Sequence, residues 1–152
     1  MTESQVAKDS EGRWTVFTEI EIDAPPAKVW QVLTDFARMP EWADGSLQSV
    51  EPFVDGQEAK VMFHNGMYTM KMNRMLKIVD GESFEWEGKV TLGLLDHHVC
   101  RIEAIEGGER TRFIQTDLAD GAIGKPLGWI MMNSFRKNYD KWNKSLKAAV
   151  ES

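Results

Sequence analysis

The stretch "IDAPPAKVWQVLTDFARMPEW", Ile22 to Trp42, decides how this chain is built. Just before it, Trp14, Val16, Thr18, Ile20 and Ile22 alternate with Thr15, Phe17, Glu19 and Glu21. A period of two predicts a strand with one buried face. Pro26 suits the first turn of a helix, where its missing N–H is not needed. Val29, Trp30, Leu33 and Phe36 then share one helical face, Pro40 breaks the continuation, and Glu41-Trp42 closes a second short turn. Helices of about ten residues are marginal in water. Both must dock on a larger surface, and the rest of the chain predicts a sheet.

Three turn dipeptides announce that sheet: Asn65-Gly66, Asp80-Gly81 and Gly107-Gly108. Each tolerates the positive φ of a tight hairpin. As two-residue turns they set Phe63 opposite Tyr68, Val61 opposite Met70 and Ala59 opposite Met72 in the first hairpin. In the second, Met75 faces Trp86. In the third, Ile102 faces Phe113, Cys100 faces Gln115, His98 faces Asp117, and Glu103 meets Arg112 on the charged outer face. Met72 and Met75 cannot both point inward from a straight strand, so a β-bulge near Asn73-Arg74 is expected. After Gly121 the period changes. Leu127, Met131, Phe135, Asn138, Trp142, Leu146 and Val150 recur every three to four residues, which predicts an amphipathic helix of about 25 residues. Residues 1–12 are polar and expected to be flexible, and residues 13–152 read as one domain.

Composition narrows the function. The 152 residues carry a net charge of −6, against the basic patch that nucleic acid demands. Apolar runs such as "PLGWIMM" are far too short to span a bilayer, so no membrane insertion is expected. The one cysteine, Cys100, forms no internal disulfide, which fits a reducing, cytoplasmic setting. Nine Met, six Trp and seven Phe supply bulky apolar material, and Met suits either core gaps or an adaptable binding surface.

The order strand, two short helices, six strands and long helix, with "IEIDAPPAKVWQVLTDFARMPEW", "VDGESFEWEG" and "ERTRFIQTDLAD", resembles the START-like (SRPBCC) helix-grip superfamily. In texture it is most similar to the polyketide cyclase/dehydratase-like branch. The resemblance implies an α+β helix-grip fold: a curved antiparallel seven-stranded sheet around the C-terminal helix, with an apolar cavity between them. The two short helices would prop the open end of the sheet. The fold hosts many activities, so the resemblance by itself assigns no catalysis.

Familiar catalytic and nucleotide-binding motifs are missing from the sequence. "DHHVC" gathers Asp96, His97, His98 and Cys100, but consecutive histidines on a strand point to opposite faces, so no metal site and no cofactor are expected. His98, Asp117 and Gln115 share the inner face, where they form either a structural hydrogen-bond group or a proton-handling, ligand-orienting pair of His98 and Asp117. Cys100 reads as an inert buried thiol. Phe63, Tyr68, Met70, Met72, Met75, Trp86, Ile102, Phe113, Leu127, Met131 and Phe135 are candidates to line the cavity, or else to fill a core. The reading is a carrier of an apolar, ring-containing small molecule or lipid, acting as a monomer or homodimer. The alternative is a cyclase-, dehydratase- or hydrolase-like enzyme using His98 with Asp117.

Overall fold

The computed structural model describes residues 4–64, 69–91 and 93–152, with residues 89–91 as backbone alone. The chain runs β1 (Gln5–Lys8), β2 (Trp14–Ile22), α1 (Pro26–Leu33), a 3-10 turn (Met39–Glu41), β3 (Ser46–Glu51), β4 (Glu58–His64), β5 (Thr69–Val79), β6 (Ser83–Thr91), β7 (Leu94–Ile105), β8 (Arg110–Asp120) and α2 (Gly121–Glu151). The strands form one antiparallel sheet in the order β1-β2-β8-β7-β6-β5-β4-β3, folded around α2 as a helix grip. The sheet has eight strands rather than the expected seven. The addition is β1, inside the segment expected to be flexible, whose backbone pairs with β2 from Gln5–Phe17 to Lys8–Trp14.

The hairpins separate what a turn dipeptide fixes from what it does not. β7 and β8 keep the expected register, with Ile102 opposite Phe113, Cys100 opposite Gln115 and Glu103 opposite Arg112. β4 and β5 pair two residues further along than expected, Phe63 with Met70 and Val61 with Met72. A shift of two preserves the inward face. The Asn65-Gly66 turn and Tyr68 lie outside the described residues. Between β5 and β6 the connection is three residues long, so Val79 pairs with Ser83, and Leu76, not Met75, faces Trp86. A one-residue change inverts the faces. Met75 therefore points outward at 56% exposed, Arg74 points inward, and β5 pairs with both neighbours without the expected bulge. Register shifts occur instead in the pairing of β3, between Leu47 and Ser49, and of β6, between Lys89 and Thr91.

Read across the strands, the inner face is layered. Ile20, Phe113 and Ile102 form one row, and Thr18, Gln115, Cys100 and Phe84 form the next. Trp14, Ala119, Asp96 and Gly88 form a row nearer the other end. The first end is closed by the wedge of α1 and the 3-10 turn. Val29, Leu33 and Met39 are fully buried there, Phe36 and Phe53 pack against Phe84, and Trp42 lies 5.2 Å from the Trp142 ring. Trp142, Leu146 and Val150 of α2 cover the same end. The short helices thus close the apolar end, with Trp30 half-buried in the seam and its Nε1 donating to Asp80 at 3.2 Å.

α2 is 31 residues long, starting at Gly121 behind an Asp120 cap that accepts from the Gly121 N–H. Its first half does not bury the expected stripe. Leu127 is 50% exposed, and the inward positions are Gly124, Gly128 and Met132. A Cβ on Gly128 would lie 2.8 Å from the Trp14 Cβ, and one on Gly124 2.9 Å from the Ala119 backbone. The helix sinks onto the sheet along this glycine edge, and that turns Leu127 outward.

Candidate ligand-binding site

At the end away from the wedge, α2 and the sheet part to leave a cavity of about 260 Å³. Phe63 and His64 of β4 and Met70 and Met72 of β5 form one wall. Leu94, Asp96, His98, Asp117 and Leu118 of β7 and β8 form another. Met131, Met132, Phe135, Asn138 and Tyr139 of α2 form the third, with Ser46 at an edge. Of the residues expected to line a cavity, Phe63, Met70, Met72, His98, Asp117, Met131 and Phe135 do so. Cys100, Ile102, Phe113 and Gln115 do not: each is buried in the packed layers nearer the wedge, and Trp86, paired with His98, is buried against the rings of Phe63 and His98 without lining the space. Met75 and Leu127 are exposed for the reasons of register and helix rotation given above.

Between cavity and wedge lies a buried polar layer. Thr18 Oγ1 donates to the Gln115 backbone carbonyl at 2.8 Å, and Asn143 Nδ2 donates to Thr18 Oγ1 at 2.9 Å. Gln115 Nε2 donates to Asn143 Oδ1 at 2.8 Å, which leaves Gln115 Oε1 to accept from His98 Nε2, also at 2.8 Å. A backbone carbonyl can only accept, so it orients every donor in this chain. The chain fixes His98 as the Nε2–H tautomer. Burial disfavours a second proton on the ring, so at neutral pH Nδ1 holds a lone pair, 3.3 Å from the Tyr139 hydroxyl and 3.7 Å from Asp117 Oδ2. Tyr139 donates to Asp117 Oδ2 at 2.7 Å, and the Leu118 N–H donates to Asp117 Oδ1 at 2.8 Å.

Burial governs the electrostatics. It holds the His98 pKa down at about 4, against the Gln115 hydrogen bond, which acts upward. It lifts Asp117 to about 6, with the hydrogen bonds from Tyr139 and the backbone acting downward. Asp96 is also lifted to about 6, first by burial and then by the Asp117 charge, while Arg74 acts downward. Burial pushes both the Cys100 thiol and the Tyr139 phenol well above their ordinary ranges. Arg74 reaches Asp96 along a row of small residues. It pairs with Ala59, Gly88 pairs with Asp96, and Asp96 pairs with Ala119. Gly88 has no side chain to obstruct the guanidinium, whose Nη2 comes within 3.5 Å of Asp96 Oδ1. His97 turns to the other face, where its Nε2 lies 3.2 Å from Glu85. No group of three His, Cys, Asp or Glu among the described residues is placed to hold a metal ion.

Sequence periodicity places Asn138 on the inward stripe of the helix without marking it as a site residue, and overlooks Ser46, His64, Leu94, Asp96, Leu118, Met132 and Tyr139 on the cavity wall. It also overlooks Arg74 and Asn143 beside it. Tyr139 and Asn143 do carry a signal. They stand four apart on α2, and both follow residues of the apolar stripe, Asn138 and Trp142, by one.

A curved sheet gripping a long helix over an apolar, partly polar-floored cavity has close structural counterparts. The family described as polyketide cyclase/dehydrase and lipid transport matches residues 13–151. The chain belongs to that family. A START superfamily protein from Mycobacterium smegmatis superposes with a TM-score of 0.70 at 11% identity, over 90% of this chain and 97% of the other. The Zhui aromatase/cyclase from Streptomyces sp. R1128 does so with a TM-score of 0.70 at 14% identity, over 91% and 94%. At these identities the likeness carries the fold alone. No match is found among curated proteins. Within the polyketide cyclase/dehydrase and lipid transport family, this member is a ligand-binding helix-grip protein. No helix among its described residues is long and apolar enough to cross a membrane.

Proposed function

We propose that this protein binds and carries an apolar, ring-containing small molecule in the cavity between α2 and the sheet. One observation carries the reading: an about 260 Å³ cavity walled by Phe63, Met70, Met72, Met131, Met132 and Phe135, with polar groups gathered on its floor. Ligand sites are concave and mostly apolar, with a few placed polar groups. An engineered apolar cavity of about 150 Å³ accepts benzene. The larger space here suits two fused rings, or one ring with a short chain. Flexible thioethers let such walls adapt to their contents.

Catalysis by His98 with Asp117 is the second reading, favoured by their 3.7 Å approach and by the aromatase/cyclase named among the structural relatives. The state of His98 favours carriage. A general base works best with a pKa near the operating pH and a nitrogen within reach of the substrate proton. His98 is 1% exposed, with Nε2 committed to Gln115 and Nδ1 facing Tyr139. Native mass spectrometry of protein purified from its own host tests the proposal. A retained small molecule, released intact on denaturation, is the expected result. Recovery of a chemically converted product after incubation with the released compound would favour the enzyme.

A further inference from the structure

The cavity floor is short of positive charge. Asp96 and Asp117 both line it, on adjacent strands and on the same face, close enough for the Asp117 charge to act on Asp96. Asp117 is 5% exposed. The buried Asp96 Oδ1 has Arg74 Nη2 3.5 Å away as its ion-pair partner. No lysine or arginine lines the cavity among the described residues. His98 adds no charge at neutral pH: the donor chain that ends on the Gln115 carbonyl places one proton on Nε2, and burial keeps a second proton off the ring. Two carboxyls thus face an apolar space with one guanidinium, that of Arg74, beside Asp96, and both have pKa values lifted to about 6.

We propose that the cavity selects ring compounds bearing a protonated amine, with the ammonium seated between Asp96 and Asp117 and the ring against Phe63 and Phe135. This rests on the cavity being a site for ring compounds, as proposed above. The argument is a comparison of three head groups on one ring. A hydroxyl offers a hydrogen bond but leaves the buried charge uncompensated. A carboxylate adds a third like charge. An ammonium supplies donors and opposite charge together, and charge-assisted hydrogen bonds are the stronger kind. The rings of Phe63, Phe135 and Tyr139, which line the same space, offer faces to a cation. The net charge of −6 also draws cations toward the protein.

The test is isothermal titration of the wild-type protein at neutral pH with naphthylmethylamine, naphthylmethanol and naphthoate, which share one ring system. The amine should bind roughly tenfold or more tighter than the alcohol, a difference well resolved by titration, and naphthoate should bind most weakly. Repeating the amine titration on Phe135→Trp separates the cavity from adsorption to an acidic surface: binding should be lost there. In Asp96→Asn the amine should keep little advantage over the alcohol. If the alcohol matches or exceeds the amine, or if Phe135→Trp binds the amine as well as wild type, the inference is overturned and the ring-compound reading is left standing on the alcohol. If none of the three binds, the ring-compound reading itself fails. The wild-type comparison stands whether or not Asp96→Asn folds.

Discussion

Both nitrogens of His98 face groups of the fold itself, Nε2 donating to Gln115 and Nδ1 lying beside the Tyr139 hydroxyl. Its ordinary pKa near 6.5 falls to about 4 in the folded chain, so between those values the unfolded chain binds more protons. The His98 contribution to stability therefore rises with pH across that window and is lost as pH falls through it. Asp96 and Asp117, raised from 3.8 to about 6, act in the opposite sense: the folded chain holds their protons, and stability falls as pH rises through that range. His98→Gln removes the first effect and leaves the second. In urea melts, the stability gap between wild type and His98→Gln should shrink by up to about 3 kcal/mol from pH 6.5 to pH 4. A gap independent of pH would show that His98 does not titrate as described. Arg74→Met removes the guanidinium beside Asp96. Breaking a buried pair costs about 3–5 kcal/mol, and here the cost should be largest above pH 7 and smaller at pH 5, where Asp96 takes up a proton. An equal loss at both pH values would contradict the pairing.

At the scale of elements, the glycine edge of α2 makes an unusual demand. Glycine to alanine inside a helix ordinarily gains up to about 1 kcal/mol. At Gly128 the new Cβ would meet the Trp14 Cβ at 2.8 Å and the Ala119 Cβ at 3.0 Å, atoms too near their backbones to swing away. Overpacking of this kind costs about 1–3 kcal/mol, so Gly128→Ala should lower the melting temperature. A melting temperature unchanged or raised would mean that the helix does not sit on that edge. The same elements show what was legible in the sequence. Strand β2, the wedge and the β7–β8 register could all be read, because periodicity and proline act locally. Loop length could not: Asp80-Gly81 marks a turn, yet the connection holds three residues, and that one residue decides whether Met75 or Arg74 points inward. Tyr139, Asn143 and Arg74 look like surface residues in a periodic reading. Each is buried through partners on other elements, Asp117, Gln115 and Asp96, that no local pattern reveals.

For the whole molecule, the division of labour follows from the layers. The wedge and the C-terminal half of α2 close one end with aromatic packing, and the polar layer of Thr18, Gln115, Asn143 and His98 separates it from the cavity at the other. The resemblance to helix-grip proteins anticipated a cavity, and seven of the fourteen described residues named for it line it. The aromatic residues toward the wedge fill a core because the short helices pack them there. Phe135 lines the cavity from α2, its ring stacked 5.6 Å from the Tyr139 ring. The most direct measurement of the central claim is therefore the affinity of naphthylmethanol for wild type and for Phe135→Trp. The larger indole should occupy the space and weaken binding by roughly tenfold or more, about 1.4 kcal/mol, with the melting temperature held or raised. Equal affinity for the two proteins, with the variant folded, would mean that the cavity is not where ring compounds bind.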